Sequence, residues 1–128
     1  MRLKLTHLFG LLLLFFLLGA CEKKSAGPGG HNSVSGGITF KNGVSGNQDG
    51  APYAKVSISY GTNQPTSSFD QTVLADATGR YSIDGLMPGH YFVKAEFTDA
   101  HGFKYTCTGT GITFENKDRN IEVNFVLE

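Results

Sequence analysis

An antiparallel β-sandwich is the fold class the sequence predicts, and three observations carry it. Apolar and polar residues alternate with period two from Gly36 to the C-terminus. Clusters of Gly, Pro, Asn and Asp interrupt that alternation every 8 to 15 residues. No stretch keeps helical spacing for a useful length. Seven or so short strands, with about twenty large inward residues, would fill one thin two-sheet core about 10 Å thick. A chain of 128 residues has room for one such domain and hardly more.

The elements follow in order. Ile38 and Phe40 alternate in a first short strand, and the polar, Gly-rich stretch 42–52 is a loop. Val56, Ile58 and Tyr60 alternate with Lys55, Ser57 and Ser59, the pattern of a half-buried strand. A second polar loop covers 61–72, and Val73–Ala75 is a short strand closed by a turn at Asp76–Gly79. Tyr81 and Ile83 then point inward, opposed by Arg80, Ser82 and Asp84. Pro88-Gly89 suits a type II turn, because Pro fixes φ and Gly accepts a positive one. Leu86 ahead of it plugs one end of the core. Tyr91, Val93, Ala95 and Phe97 alternate in the longest strand, with the direction of Phe92 left open. After a loop at 98–104, Phe103, Tyr105 and Cys107 line one face. Ile112 and Phe114 form a further short strand, and Ile121, Val123, Phe125 and Leu127 form the last.

The first twenty residues differ from the rest. Arg2 and Lys4 precede an almost pure Leu/Phe run from Leu8 to Leu18, and small residues follow. That is the layout of a secretory signal, and the run is shorter than the roughly 20 residues of a membrane-spanning helix. Leu18-Gly19-Ala20-Cys21 resembles the lipobox of bacterial lipoproteins. The resemblance implies cleavage before Cys21, a lipid on its thiol and attachment to a membrane through that lipid. Stable attachment takes more than one acyl chain. Glu22 stands where Asp would specify inner-membrane retention, which points to the outer membrane of a bacterial cell envelope.

Cleavage changes the arithmetic. The whole chain has 11 basic and 11 acidic side chains, whereas residues 21–128 carry 9 and 11, a net charge of −2. A mildly acidic domain lacks the basic face needed to bind nucleic acid. Residues 21–35 are expected to be a flexible tether, since Gly27, Pro28, Gly29 and Gly30 oppose regular structure. With Cys21 lipidated, Cys107 has no partner for a disulfide and reads as a small buried apolar residue.

Four stretches in the right order carry a family resemblance: Gly37-Ile38, Gly50-Ala51-Pro52-Tyr53-Ala54-Lys55-Val56, Asp76 with Gly79 and Tyr81, and Gly85-Leu86-Met87-Pro88-Gly89-His90-Tyr91. Residues 36–128 are similar to the carboxypeptidase regulatory-like domain. That resemblance implies a seven-stranded Greek-key sandwich of the transthyretin (prealbumin) type. It also implies a non-catalytic module that spaces, scaffolds or binds.

Enzymatic relatives of that fold are poorly matched. Transthyretin-like hydroxyisourate hydrolases end in Tyr-Arg-Gly-Ser, but this chain ends Asn124-Phe125-Val126-Leu127-Glu128. Intradiol dioxygenases need two Tyr and two His on iron, and only His31, His90 and His101 follow Cys21. Stalk domains with a Lys–Asn isopeptide place a Glu where this chain has Ala95; Glu96 faces the other way, so Lys41 and Asn124 lack their catalyst. Asn47, Asp49, Asp70, Asp99 and His101 read as polar turn residues rather than metal ligands, and no cofactor is expected. The expectation is a non-enzymatic, membrane-anchored lipoprotein that interacts or scaffolds at the envelope, with a protein or glycan partner. The alternative is a carbohydrate- or peptide-binding module using loops 42–52, 61–72 and 98–104. Phe69, Phe92 and Phe103 are its candidate contacts, provided at least two are exposed together.

Overall fold

A computed structural model describes residues 26–116 and 119–128, so Cys21 and the segment before it lie outside the described residues. Ten strands form two five-stranded sheets. The strands are β1 (Pro28–Lys41), β2 (Gln48–Gly50), β3 (Lys55–Tyr60), β4 (Gln71–Leu74), β5 (Arg80–Leu86), β6 (Gly89–Thr98), β7 (Lys104–Thr106), β8 (Thr110–Phe114), β9 (Asn120–Glu122) and β10 (Phe125–Leu127). In the first sheet β1 is central, flanked on one edge by β5 then β2 and on the other by β9 then β10. In the second sheet the order is β4, β3, β6, with β8 and β7 end to end along the outer edge of β6. The all-β sandwich is therefore the fold, and none of the described residues forms a helix.

The first strand departs from expectation. Residues 28–35 are not a tether; they are the first half of β1, and the folded unit begins near Ala26 instead of Gly36. Period two does reach back this far, because Asn32, Val34, Gly36, Ile38 and Phe40 are all buried. It is hard to see in sequence because two inward positions are Asn and Gly. The glycines serve close approach between backbones rather than mobility. A Cβ on Gly30 would lie 2.5 Å from the Leu86 carbonyl carbon, and one on Gly36 would lie 2.7 Å from that of Val123. Asn32 Oδ1 accepts the Arg119 N–H at 2.9 Å, and the Ser33 N–H donates to the Arg119 carbonyl at 2.8 Å. These bonds tie β1 to the turn before β9.

Three further differences concern strand count and direction. The expected loop 42–52 contains β2, a short antiparallel partner of Thr39–Lys41. The expected last strand is broken at Val123–Asn124 into β9 and β10. Both run parallel to β1, not antiparallel, because the chain reaches them by crossing over from β8 in the opposite sheet. The strand total is thus ten where seven were expected.

Aromatic side chains close the core at both ends. Tyr91 packs edge-on to Tyr60 and Phe114, at 5.8 and 5.7 Å between ring centroids, beside fully buried Leu86. At the far end Phe40 lies 4.7 Å from Phe97 and 4.9 Å from Tyr105. The Tyr91 hydroxyl donates to the Met87 carbonyl at 2.6 Å and accepts the Gly27 N–H at 2.8 Å. It thus staples the turn before β6 to the start of β1. Gly89 takes φ 144°, wider than a type II turn requires, and a Cβ there would meet that of Ala26 at 2.8 Å. The Asp76 turn forms as expected: Asp76 Oδ1 accepts the N–H groups of Thr78 and Arg80, each at 2.9 Å.

Candidate ligand-binding face

The outer face of the second sheet is built by alternation along β6. Tyr91, Val93 and Ala95 enter the core, so Phe92, Lys94 and Glu96 stand on the opposite face. Register places Ser59 beside Phe92, Ser57 beside Lys94 and Lys55 beside Glu96. The loop after β3 folds back over one end of this face, held by the Ser59 hydroxyl donating to the Ser68 carbonyl. Phe92 is only 2% exposed there, because Gly109 also closes on it: a Cβ at Gly109 would collide with the end of the ring.

Three depressions run along the face. One of about 330 Å³ lies between Pro52-Tyr53 and Glu96-Phe97-Thr98. The next, about 230 Å³, is lined by Lys55, Ser57, Phe69, Lys94 and Glu96. The third, about 370 Å³, is lined by Pro65, Thr66, Phe69, Phe92, Lys94 and Thr108. Neighbours share walls: Lys55 and Glu96 border the first two, and Phe69 and Lys94 the last two. The result is a shallow trough with Tyr53 at one end and Phe69 towards the other.

Tyr53 is the most distinctive residue of the trough. It is 63% exposed and has φ 58°, the one left-handed non-glycine residue among those described. Bulky residues avoid that region at a cost of about 1–2 kcal/mol. Two features hold it there: its N–H donates to the Asp76 carbonyl at 3.0 Å, and Ala51 and Ala54 on either side are buried. Glu96 lies 3.5 Å from the Lys55 ammonium and 3.2 Å from that of Lys104. Burial works against its ionisation, but the Lys104 hydrogen bond and charge, aided by Lys55, hold its carboxyl below the ordinary value. Lys94 is half-buried and has no ion-pair partner among the described residues.

The structure separates the residues singled out in sequence. Phe69 and Phe92 meet in one depression, but Phe92 forms its floor and offers little surface. Phe103 precedes β7, is 56% exposed and does not continue the face of Tyr105. Loops 42–52 and 98–104 sit at the end of the sandwich remote from Pro28. Tyr105 joins them, its hydroxyl accepting the Gly43 N–H and donating to Asp99. Loop 61–72 begins at the opposite end, where the Gly61 N–H donates to the His90 carbonyl. The three loops therefore do not form one surface. Tyr53 and Lys94 were missed; the available signals were a large aromatic inside a Gly-Ala-Pro turn and a lysine alternating with Val93 and Ala95.

The other candidates have local roles. Asp99 Oδ1 accepts the N–H groups of His101 and Phe103, and Asp70 Oδ2 accepts that of Tyr60. No cluster of three metal-ligating side chains occurs among the described residues. Asn124 Oδ1 accepts the Gly37 N–H at 2.8 Å, whereas Lys41 lies four residues further along β1, about 13 Å away. Cys107 packs half-buried against the core, its thiol 3.4 Å from the Ala95 carbonyl.

No family model matches the chain, and no curated protein matches it in sequence. Solved structures do match in fold. A Pseudomonas aeruginosa protein, provisionally described as carbohydrate binding, superposes with TM-score 0.51 and 16% identity over 79% of this chain and 91% of its own. The minor pilin of Streptococcus agalactiae gives TM-score 0.51 and 15% identity over 80% of this chain, which spans only 44% of that pilin.

Proposed function

We propose that this protein is a non-catalytic, lipid-anchored interaction module of the bacterial cell envelope whose trough binds carbohydrate. The carrying observation is the trough itself, a groove of mixed polar and apolar lining with an aromatic platform near each end, one of them held in a costly backbone conformation. Sugars offer apolar C–H faces to aromatic rings and hydroxyls to polar side chains, and this face presents both. The provisional description of the Pseudomonas protein is in line with this reading, as is the resemblance to carboxypeptidase regulatory-like domains. The lipobox resemblance at Cys21 supports anchoring, and Glu22 supports the outer membrane. Because the folded unit begins near Ala26, four residues separate it from Cys21, a reach of at most about 18 Å.

The test is retention of the full chain, purified in detergent, on an array of bacterial and plant polysaccharides. Replacing both Tyr53 and Phe69 by Ala should weaken retention about tenfold or more, at about 1 kcal/mol per platform. Unchanged retention by a variant that still melts normally would overturn the reading.

A second reading, contact with an envelope protein, rests on a different observation. Val44, Tyr53, Leu74, Phe103 and Val126 are each more than half exposed, and all lie at the end remote from Pro28. Co-purification from the native membrane, lost on joint replacement of Val44 and Phe103 by Ser, would support it.

A further inference from the structure

Resting on the carbohydrate-binding reading, we propose that the ligand is an acidic polysaccharide and that Lys94 receives a uronate carboxylate in the middle of the trough. The charges on this face carry the argument. Lys55, Lys94 and Lys104 project from neighbouring strands, and among the described residues Glu96 is the one carboxylate lining the trough. Glu96 is already shared between Lys55 and Lys104, at 3.5 and 3.2 Å. The face therefore keeps an excess of positive charge on a domain whose net charge is −2 over residues 21–128. Among the described residues no acid of the flanking loops lines the trough. Asp70 accepts the Tyr60 N–H, and Asp76 is taken up by Thr78 and Arg80 in its own turn.

Position singles out Lys94 among the three. It lies on the central strand of the sheet, in the wall shared by two depressions, between Phe69 and Glu96. Its stem is half-buried against the sheet, and its ammonium can make a charge-assisted hydrogen bond to a carboxylate. Thr108 on the rim offers a hydroxyl to a neighbouring sugar oxygen, whereas Ser57, directly opposite Lys94, is buried and shares its hydroxyl with Thr72. One ammonium matches the single charge of a uronate. A phosphate monoester would bring a charge of about −1.5 to −2 within reach of Glu96, two residues or about 7 Å along the strand.

The experiment measures retention of the detergent-purified full chain on polygalacturonate, alginate and hyaluronate, with dextran as neutral and phosphomannan as phosphorylated comparison. The uronate polymers should bind best and weaken as NaCl rises from about 50 to about 500 mM. Lys94→Gln should reduce uronate binding about tenfold, the value of one charge-assisted hydrogen bond, and so lower the ratio of uronate to dextran binding by about that factor. Lys94→Arg should restore most of the binding, and Lys41→Gln, on the other sheet, should change nothing. Equal binding of dextran and the uronates, preference for phosphomannan, or full uronate binding by a folded Lys94→Gln would overturn the inference while sparing the carbohydrate reading. Failure to bind any polysaccharide on the array would overturn both.

Discussion

Gly30→Ala separates two accounts of the segment after Cys21. If residues 28–35 were a free tether, an added methyl there would be silent. In the structure β1 carries a bulge between Pro28 and Asn32, both of which face Leu86, and Gly30 sits inside it. The new Cβ would lie 2.5 Å from the Leu86 carbonyl carbon and 2.6 Å from the Met87 Cα. These are backbone atoms of a turn stapled by Tyr91, so no flexible side chain can yield. Restoring ordinary contact requires β1 and β5 to part by about 1 Å. Overpacking of that kind costs about 1–3 kcal/mol, and each ladder bond lost adds about 1 kcal/mol. A total near 3–4 kcal/mol is a large share of the 5–15 kcal/mol typical of domains. It corresponds to a fall in Tm of roughly 12–25 °C for a domain of this size. Urea unfolding of the full chain in detergent, followed by far-UV circular dichroism, measures it as a lower midpoint at unchanged slope. Gly37→Ala is the control, because its Cβ meets nothing closer than 3.8 Å. It should be neutral or stabilise by a few tenths of a kcal/mol. Were Gly30→Ala to melt with the parent protein, the pairing of residues 28–35 with β5 would be wrong.

Three more expectations follow from the same contacts. Tyr91→Phe keeps the ring but strands the Gly27 N–H and Met87 carbonyl, and should cost about 1–3 kcal/mol by urea titration. Tyr53→Gly relieves the left-handed strain and should raise stability by about 1 kcal/mol while weakening polysaccharide retention, so the two readouts move in opposite directions. Stability should also fall at both extremes of pH. Asp76 is held below its ordinary value by the Arg80 N–H and by the hydroxyl and N–H of Thr78. At Asp99 burial opposes ionisation, but the N–H groups of Phe103 and His101 and the Tyr105 hydroxyl outweigh it. A depressed folded-state value means the unfolded chain takes up more protons, so this stability is present above pH 3.8 and lost as pH falls through the lower folded values. Burial raises Tyr81 and Tyr91 above 10, so their contribution is present below pH 10 and lost above it. Urea midpoints against pH check both limbs, and Asp76→Asn with Asp99→Asn should flatten the acid one.

Period-two alternation by itself determined the fold class and most of the core, because a sheet packed on one face needs inward side chains at every second residue. Val56 with Ile58, Tyr81 with Ile83, and Tyr91, Val93 and Ala95 are all buried as that rule requires. The Asp76 turn was equally legible, since its bonds run between residues at most four apart. Long-range contacts were not legible. Whether Gly30 ends structure or allows backbones to touch depends on Leu86, 56 residues away, and local composition carries no trace of that partner. The same holds for the outer face. Alternation says that Lys94 and Glu96 share a side, but only pairing with β3 and the folding back of loop 61–72 bury Phe92 and bring Phe69 beside Lys94. The local pattern fixes which way a side chain points within its strand; the tertiary structure decides what it meets, because strand neighbours are chosen by packing across the whole chain.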